Sequence, residues 1–533
     1  MERLKSIKIY FFSIIKLFIL SFRNLYFKSN FYNQKLITFI PNKFFYNPSY
    51  HLNASLTPAS ADFYKITNIA PELLWETSPK EKLKFENLHS FLWLTKLDRK
   101  NSKLATQNII KSWINNFFNY EPHTWEIDIA AKRIISWSSN NDITLDGADS
   151  VYKENFFLSL IKQSNFILKN LKILPYGSRR LVCCGSIILS GLMFKESNLN
   201  YKIGVKELKK IIKNYFDENG FPKSRNPEDV FVCIKYLVLI REWLKESQKL
   251  IPDFLNEIIV KRGNSYAGLS NANKQLPLFN GATEVNHKDY DIFLKNLKYK
   301  FVNSKYEIGD LVKIKKRKFE FIIDCGNPAP KAYSKYYQSG CLSFELNSNK
   351  QKIICNSGYG KYLSPKLASI SKSTAAQSTL YLNNTSIEKH KIIRKIYTED
   401  KDMYSILASH NGYERKFGCI HTRSIKILKK RDIIFGRDEI KNMKKKSSEH
   451  VYFIRFHIYP NIKIVKTKAG NSILISLSNG EGWILRNRTN IFKVEKNIFF
   501  GNKNKIINNE SVSISGNTKN EITTIDWSIE RIS

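Results

Sequence analysis

The chain has 533 residues, 42% hydrophobic and 13% aromatic: too long for one core, apolar enough to fold throughout, so two or three domains are expected and long disorder is excluded. Its 86 Lys and Arg against 47 Asp and Glu give a formal charge of +39, a field that suits nucleic acid or an acidic polysaccharide, although Lys, Asn and Ile enriched together also follow from the codon bias of an AT-rich genome. Seven cysteines, an odd number with no CxxC spacing, exclude a disulfide framework and a finger-type zinc site.

In chain order, residues 1–28 (MERLKSIKIYFFSIIKLFILSFRNLYFK) are apolar but broken by Lys8, Lys16 and Arg23 into pieces shorter than the roughly 20 residues of a spanning helix. No small-x-small cleavage site follows, so the segment is a poor secretory signal. Lys5, Lys16 and Arg23 share one helical face, the pattern of an interfacial helix with peripheral membrane contact; a helix packed on its own domain fits as well.

From about residue 83 to 300 the apolar residues recur at helical spacing. LHSFLWLTKL (88–97), ATQNIIKSWINNFF (105–118) and WEIDIAAKRIISW (125–137) read as successive amphipathic helices, continued by ENFFLSLIKQSNFILKNL (154–171), RRLVCCGSIILSGLMF (179–194) and VFVCIKYLVLIREWL (230–244). Cys183 and Cys184 sit in one such apolar run, as small buried thiols do. Pro, Gly and Asn mark the connections, so stacked helical hairpins are expected, an α-solenoid or an α/α toroid. After about residue 307 the pattern becomes short alternating strands separated by turn pairs such as Asn411-Gly412 and Asn479-Gly480, an antiparallel β-sandwich. The organisation expected is an apolar and basic segment over 1–60, a toroid over 61–306 and a sandwich over 307–533. No nucleic-acid motif accompanies the charge, so no nucleic-acid partner is expected.

Four stretches of the β half, IDCGNPAPKAYSKYYQSGCLSFEL (323–346), ICNSGYG (354–360), TAAQSTL (374–380) and SHNGYERKFGCIHTRSIKIL (409–428), taken in this order resemble the C-terminal domain of the heparinase II/III-like family. LHSFLWL, WEIDIAAKRIISW and FNGATE (279–284) resemble the toroid of its bacterial members, and RFHIYPNIKI (455–464) and GEGWILR (480–486) extend the likeness. The resemblance implies a carbon–oxygen lyase that cleaves an acidic, uronate-containing polysaccharide by β-elimination in the cell envelope or periplasm; a poor signal argues for the cytoplasm. It also implies proton transfer by tyrosine and histidine, and in many members a zinc held by two histidines and an aspartate.

Carried over residue by residue, the metal positions become Gln338, Asn356 and Gln377, and Tyr336 stands where a catalytic histidine is usual. Neutral amides are poor zinc donors, so no cofactor is expected; three amides can instead satisfy one another by hydrogen bonds. The family's Gly-Asn-His helix entry is here Gly177-Ser178-Arg179, where Arg179 and Arg180 suit a carboxylate or sulfate but not a base. The remaining catalytic candidates are His410, Tyr413, His421 and Arg423. Tyr413 follows Asn411-Gly412 and is expected at a turn tip open to a cleft, while His421 and Arg423, two apart, share a strand face. Arg133 and Trp137, one helical turn apart, could hold a sugar ring, against a packing role for the tryptophan. A non-catalytic glycan-binding or envelope protein is the alternative.

Overall fold

The computed structural model describes residues 21–57, 63–303, 305–349, 351–443, 449–519 and 521–532. The expectations placed on Lys5, Lys8 and Lys16 lie outside the described residues; residues 21–28 are helical. Among the described residues no helix is long and apolar enough to cross a membrane. The chain divides into two units: Met1–Tyr215 with Lys235–Glu257, and Phe216–Ile234 with Ile258–Ser533.

The principal helices are α1 (Lys82–Ser90), α2 (Lys103–Phe117), α3 (Ile127–Ser139), α4 (Ser150–Asn170), α5 (Ser178–Met193), α6 (Asn198–Tyr215), α7 (Pro227–Glu246), α8 (Asp253–Leu269) and α9 (Lys288–Asn296). The first six lie in the first unit. Asp149 caps α4 by accepting from the Tyr152 amide at 2.8 Å, which satisfies one orphan N–H of the first turn. α5 is buried on nearly every face, which explains its unbroken apolar run. Gly191 of α5 lies against the Tyr201 backbone of α6, and Gly204 of α6 against Ile188 of α5, leaving no room for a Cβ at either glycine. The stretch LHSFLWLTKL is not one helix: Phe91 takes a left-handed conformation (φ 57°), ends α1, and a 3-10 turn follows over Leu92–Lys96.

The second unit carries two antiparallel sheets. The nine-stranded sheet runs β1 (Glu307–Ile308), β2 (Leu311–Lys315), β3 (Phe319–Asp324), β4 (Phe344–Ser348), β5 (Gln351–Cys355), β11 (Val451–Ile458), β16 (Ile507–Asn517), β15 (Lys493–Phe499), with β6 (Leu380–Leu382) paired to β11. The eight-stranded sheet runs β12 (Lys463–Lys466), β13 (Ser472–Ser476), β14 (Gly482–Asn487), β17 (Ile522–Arg531), β10 (Ile433–Asn442), β9 (Cys419–Leu428), β8 (Met403–Tyr413), β7 (Ile392–Glu399). Side chains from both sheets, among them Ile314, Phe321 and Phe344 facing Ile406, Ile425 and Ile434, make one core, as alternating strands of a sandwich require.

Two local features bear on the stretches quoted above. Thr374–Ala376 is a 3-10 turn and the strand begins only at Leu380, so Gln377 precedes it. Asn411-Gly412 is no hairpin turn but an irregularity inside β8, whereas Gly480 does take the left-handed conformation (φ 86°) between β13 and β14. All seven cysteines are buried, and none forms a disulfide.

Candidate functional site

Four of the expected catalytic side chains belong to the sandwich interior. The Gly412 N–H donates to His410 Nδ1 (3.0 Å), so the His410 proton sits on Nε2 and goes to His421 Nδ1 at 3.1 Å. His421 Nε2 in turn donates to Asp438 Oδ1 at 2.7 Å. Arg423 grips the same carboxylate through Nε (2.8 Å) and Nη2 (3.0 Å), and Trp527 Nε1 completes it at 2.8 Å. Arg423 Nη1 reaches the Leu342 and Ser378 carbonyls (2.7 and 3.2 Å), in the segments that lead into β4 and β6 of the other sheet. Burial and the neighbouring imidazole push His410 well below its ordinary pKa, and burial lowers His421 despite Asp438. Burial opposes charge on Asp438 too, yet Arg423 and His421 hold it ionised. Every polar group here has a partner, and none faces solvent. Tyr413 is equally sealed: its hydroxyl donates to the Leu380 carbonyl at 3.0 Å and burial raises its pKa well above 10. The expectation of a tyrosine at an open turn tip is therefore corrected. Asp438 went unnoticed in the sequence because a lone Asp in an alternating strand reads as solvent-facing.

The three amides do not bond one another. Gln338 accepts from the Gly281 amide (2.9 Å) and donates to the Gly358 and Ser371 carbonyls (2.9 and 2.7 Å). Gln377 donates to the same Ser371 carbonyl at 3.1 Å, and Asn356 accepts from the Ser378 amide at 2.9 Å. The Asn356 NH2, a donor, has no partner among the described residues. His457, nearby on β11, directs Nε2 to the Ala375 carbonyl (3.0 Å) and takes Asn497 Nδ2 on Nδ1 (2.7 Å); burial lowers its pKa to about 3. A zinc needs lone pairs converging from imidazole or carboxylate, but here the amide oxygens of Gln338 and Asn356 are spent on backbone N–H groups. The donor set does not fit the metal, and no step is derived through one.

In the helical unit, Arg133 is fully buried, donating to Gln163 Oε1 (2.7 Å) and to the His89 and Thr124 carbonyls, with its guanidinium 4.0 Å from the Trp113 ring centre. Trp137 is also fully buried, packed among Phe91, Trp113 and Phe156, so neither residue offers a face to a sugar. Arg180 is buried against Glu207. Arg179 is 43% exposed but already paired with Glu126 (3.0 Å) and Asp128, which weakens it as an anion receptor.

Tyr336 is different. It ends a 3-10 turn (Lys331–Tyr336) and is only partly buried. Its ring lies 5.7 Å from Tyr359, with Lys335 and Lys361 ammonium groups 5.0 and 6.0 Å from its centre. Lys372 lies 6.0 Å from the Tyr359 ring and donates to the Lys335 carbonyl at 2.6 Å. The FNGATE loop passes directly behind: Asn280 and Gly281 both have positive φ (54° and 95°), and a Cβ at Gly281 would meet Tyr336 atoms at 2.6 Å. Asn280 Nδ2 holds Asp324 (3.2 Å), itself in a buried bridge to Arg225 at 2.6 Å. Tyr336 and Tyr359 with Lys335, Lys361 and Lys372 form a shelf, and buried Glu228 accepts from Thr283 N (3.1 Å) and Oγ1 (2.9 Å), from Lys361 at 3.2 Å and from Lys503 at 2.9 Å. Burial resists its ionisation, but the two lysines bring the carboxyl well below the ordinary range; burial likewise resists the Lys361 charge, and Glu228 outweighs it. Lys361 and Lys503 remain 19% and 29% exposed. A half-open tyrosine ringed by ammonium groups can move a proton beside a polyanion; Glu228, Lys361 and Lys503 carried no motif by which to single them out.

This architecture, a helical domain followed by a two-sheet sandwich, is that of α/α-toroid polysaccharide lyases. Residues 301–528 match the family model described as heparinase II/III-like, C-terminal, so the β half of the chain is similar to that family's C-terminal domain. Among solved structures it is similar to heparinase III (16% identity, 86% of this chain and 79% of that one, TM-score 0.71). It is also similar to a mutant of the heparan sulfate lyase HepC from Pedobacter heparinus (12%, 92% and 86%, 0.65) and to a chondroitinase AC lyase (10%, 90% and 82%, 0.55). At such identities the likeness is one of fold. No curated protein matches at the level of sequence.

Proposed function

We propose that the protein cleaves an acidic, uronate-containing polysaccharide of the cell envelope by β-elimination at the Tyr336 shelf. The observation that carries this is exposure: of the five proton-transfer candidates, Tyr336 alone is open to solvent, while His410, Tyr413, His421 and Arg423 are at most 1% exposed. In the reaction the Tyr336 phenolate takes the proton from C5, that electron pair forms the C4–C5 double bond, the C4–O bond breaks, and the phenol so formed gives its proton to the leaving oxygen. Lys335, Lys361 and Lys372 bind the polyanion and stabilise charge developing on the uronate carboxylate.

The test is absorbance near 232 nm, where the unsaturated uronate product absorbs, across heparin, heparan sulfate, chondroitin sulfate and alginate. Wild-type protein is expected to give a rising signal, and Tyr336→Phe to lower it by about 100-fold or more with binding retained. A flat trace with retained polysaccharide binding would instead support a non-catalytic glycan-binding protein, the reading favoured by amides at 338, 356 and 377.

A further inference from the structure

Glu228 is a heavily engaged carboxylate near Tyr336, and the elimination proposed above does not use it. It is 7% exposed, sits in the first turn of α7, and accepts four hydrogen bonds from three separate segments: Thr283 of the FNGATE loop, Lys361 after β5, and Lys503 between β15 and β16. Its charge is fixed by these cations, not by solvent. Removing it would take away the carboxylate that both Lys361 and Lys503 bond, leaving Asp229 as the smaller negative charge acting on Lys361.

We infer that Glu228 is the positioning residue of the site: its carboxylate clamps Lys361 beside Tyr336 and absorbs one of the two lysine charges, so that the pair presents one net positive charge to the substrate. The inference rests on the lyase reading, but its electrostatic half does not. It makes an unusual pairing of outcomes. Loss of the clamp misplaces Lys361 and slows turnover, yet it unmasks a cation and strengthens attraction to a polyanion.

The experiment measures both on Glu228→Gln, Glu228→Asp and Lys361→Met, with heparin as the binding probe over a salt series. For Glu228→Gln we expect a fall in kcat of about 100-fold, together with heparin affinity that is unchanged or tighter and a salt slope steeper by about one. Glu228→Asp should restore much of kcat. Lys361→Met should lower kcat to a similar degree, and the double variant Glu228→Gln, Lys361→Met should be no worse than either single change, because one acts through the other. Wild-type kcat in Glu228→Gln, or joint loss of turnover and heparin affinity in a folded protein, would overturn the proposal. Should Glu228→Gln not fold, Lys361→Met decides alone, and undiminished kcat there sinks the clamp. If wild type itself makes no product from any polymer, the lyase reading falls; the clamp then stands or falls on whether Glu228→Gln steepens the heparin salt slope.

Discussion

Single side chains differ sharply in what they can do even where their chemistry is the same. His421 and Arg423 carry groups suited to catalysis, but both are spent on Asp438 inside the sandwich. Arg423→Met would leave that carboxylate buried without its main counter-charge, and is expected to destabilise the protein by about 3–5 kcal/mol. Chemical denaturation read by tryptophan fluorescence measures this. Lys430, 86% exposed and loosely paired to Asp402, gives the contrast: Lys430→Ala should stay within about 0.5 kcal/mol. That residues quoted from separate stretches lie together was legible in the sequence at this scale, since Tyr336, Gln338 and Gln377 cluster in one unit around Gly281, Ser371 and Gly340. Their depth was not legible. Periodicity tells which face of a strand a residue takes, and both faces of a sheet can be covered, as Tyr413 shows.

At the scale of elements, the long helices and the alternating strands follow from apolar spacing alone, and failures concentrate where one residue leaves the regular backbone. Phe91 breaks α1 with a left-handed conformation that a bulky residue seldom takes, so nothing in LHSFLWLTKL announces the stop. Asn411-Gly412 has the composition of a hairpin turn but is absorbed into β8 as an irregularity. The pairing of α5 with α6 makes its own prediction. Replacing a helix-interior glycine by alanine normally gains about 1 kcal/mol in helix propensity. At Gly191 the added methyl would run into the Tyr201 backbone, which has no flexible end to yield. Overlap should win, and Gly191→Ala is expected to lower stability by about 1–3 kcal/mol on thermal or urea unfolding.

For the whole molecule, acid is the condition to watch. His89 and His457 are lowered to about 3, and His390, His410 and His421 are lowered as well, in each case chiefly by burial. The folded state therefore keeps these rings neutral, while the unfolded chain protonates them near pH 6.5. For His89 and His457 this contribution is present in full above about pH 6.5 and is lost as pH falls from there towards 3, on the order of 1 kcal/mol per ring by pH 5.5. The melting temperature should thus drop between pH 7 and pH 5, before the carboxylates of Asp438 and Glu228 begin to titrate, and a flat profile over that interval would contradict the assignment.

The seven thiols have a practical consequence. None forms a disulfide and all are buried, so a thiol reagent in native buffer reacts when the chain opens. Cys183 and Cys184 belong to the first unit and the other five to the second. Time-resolved labelling followed by peptide mapping would therefore clock the opening of each unit separately, with no probe introduced and no residue changed.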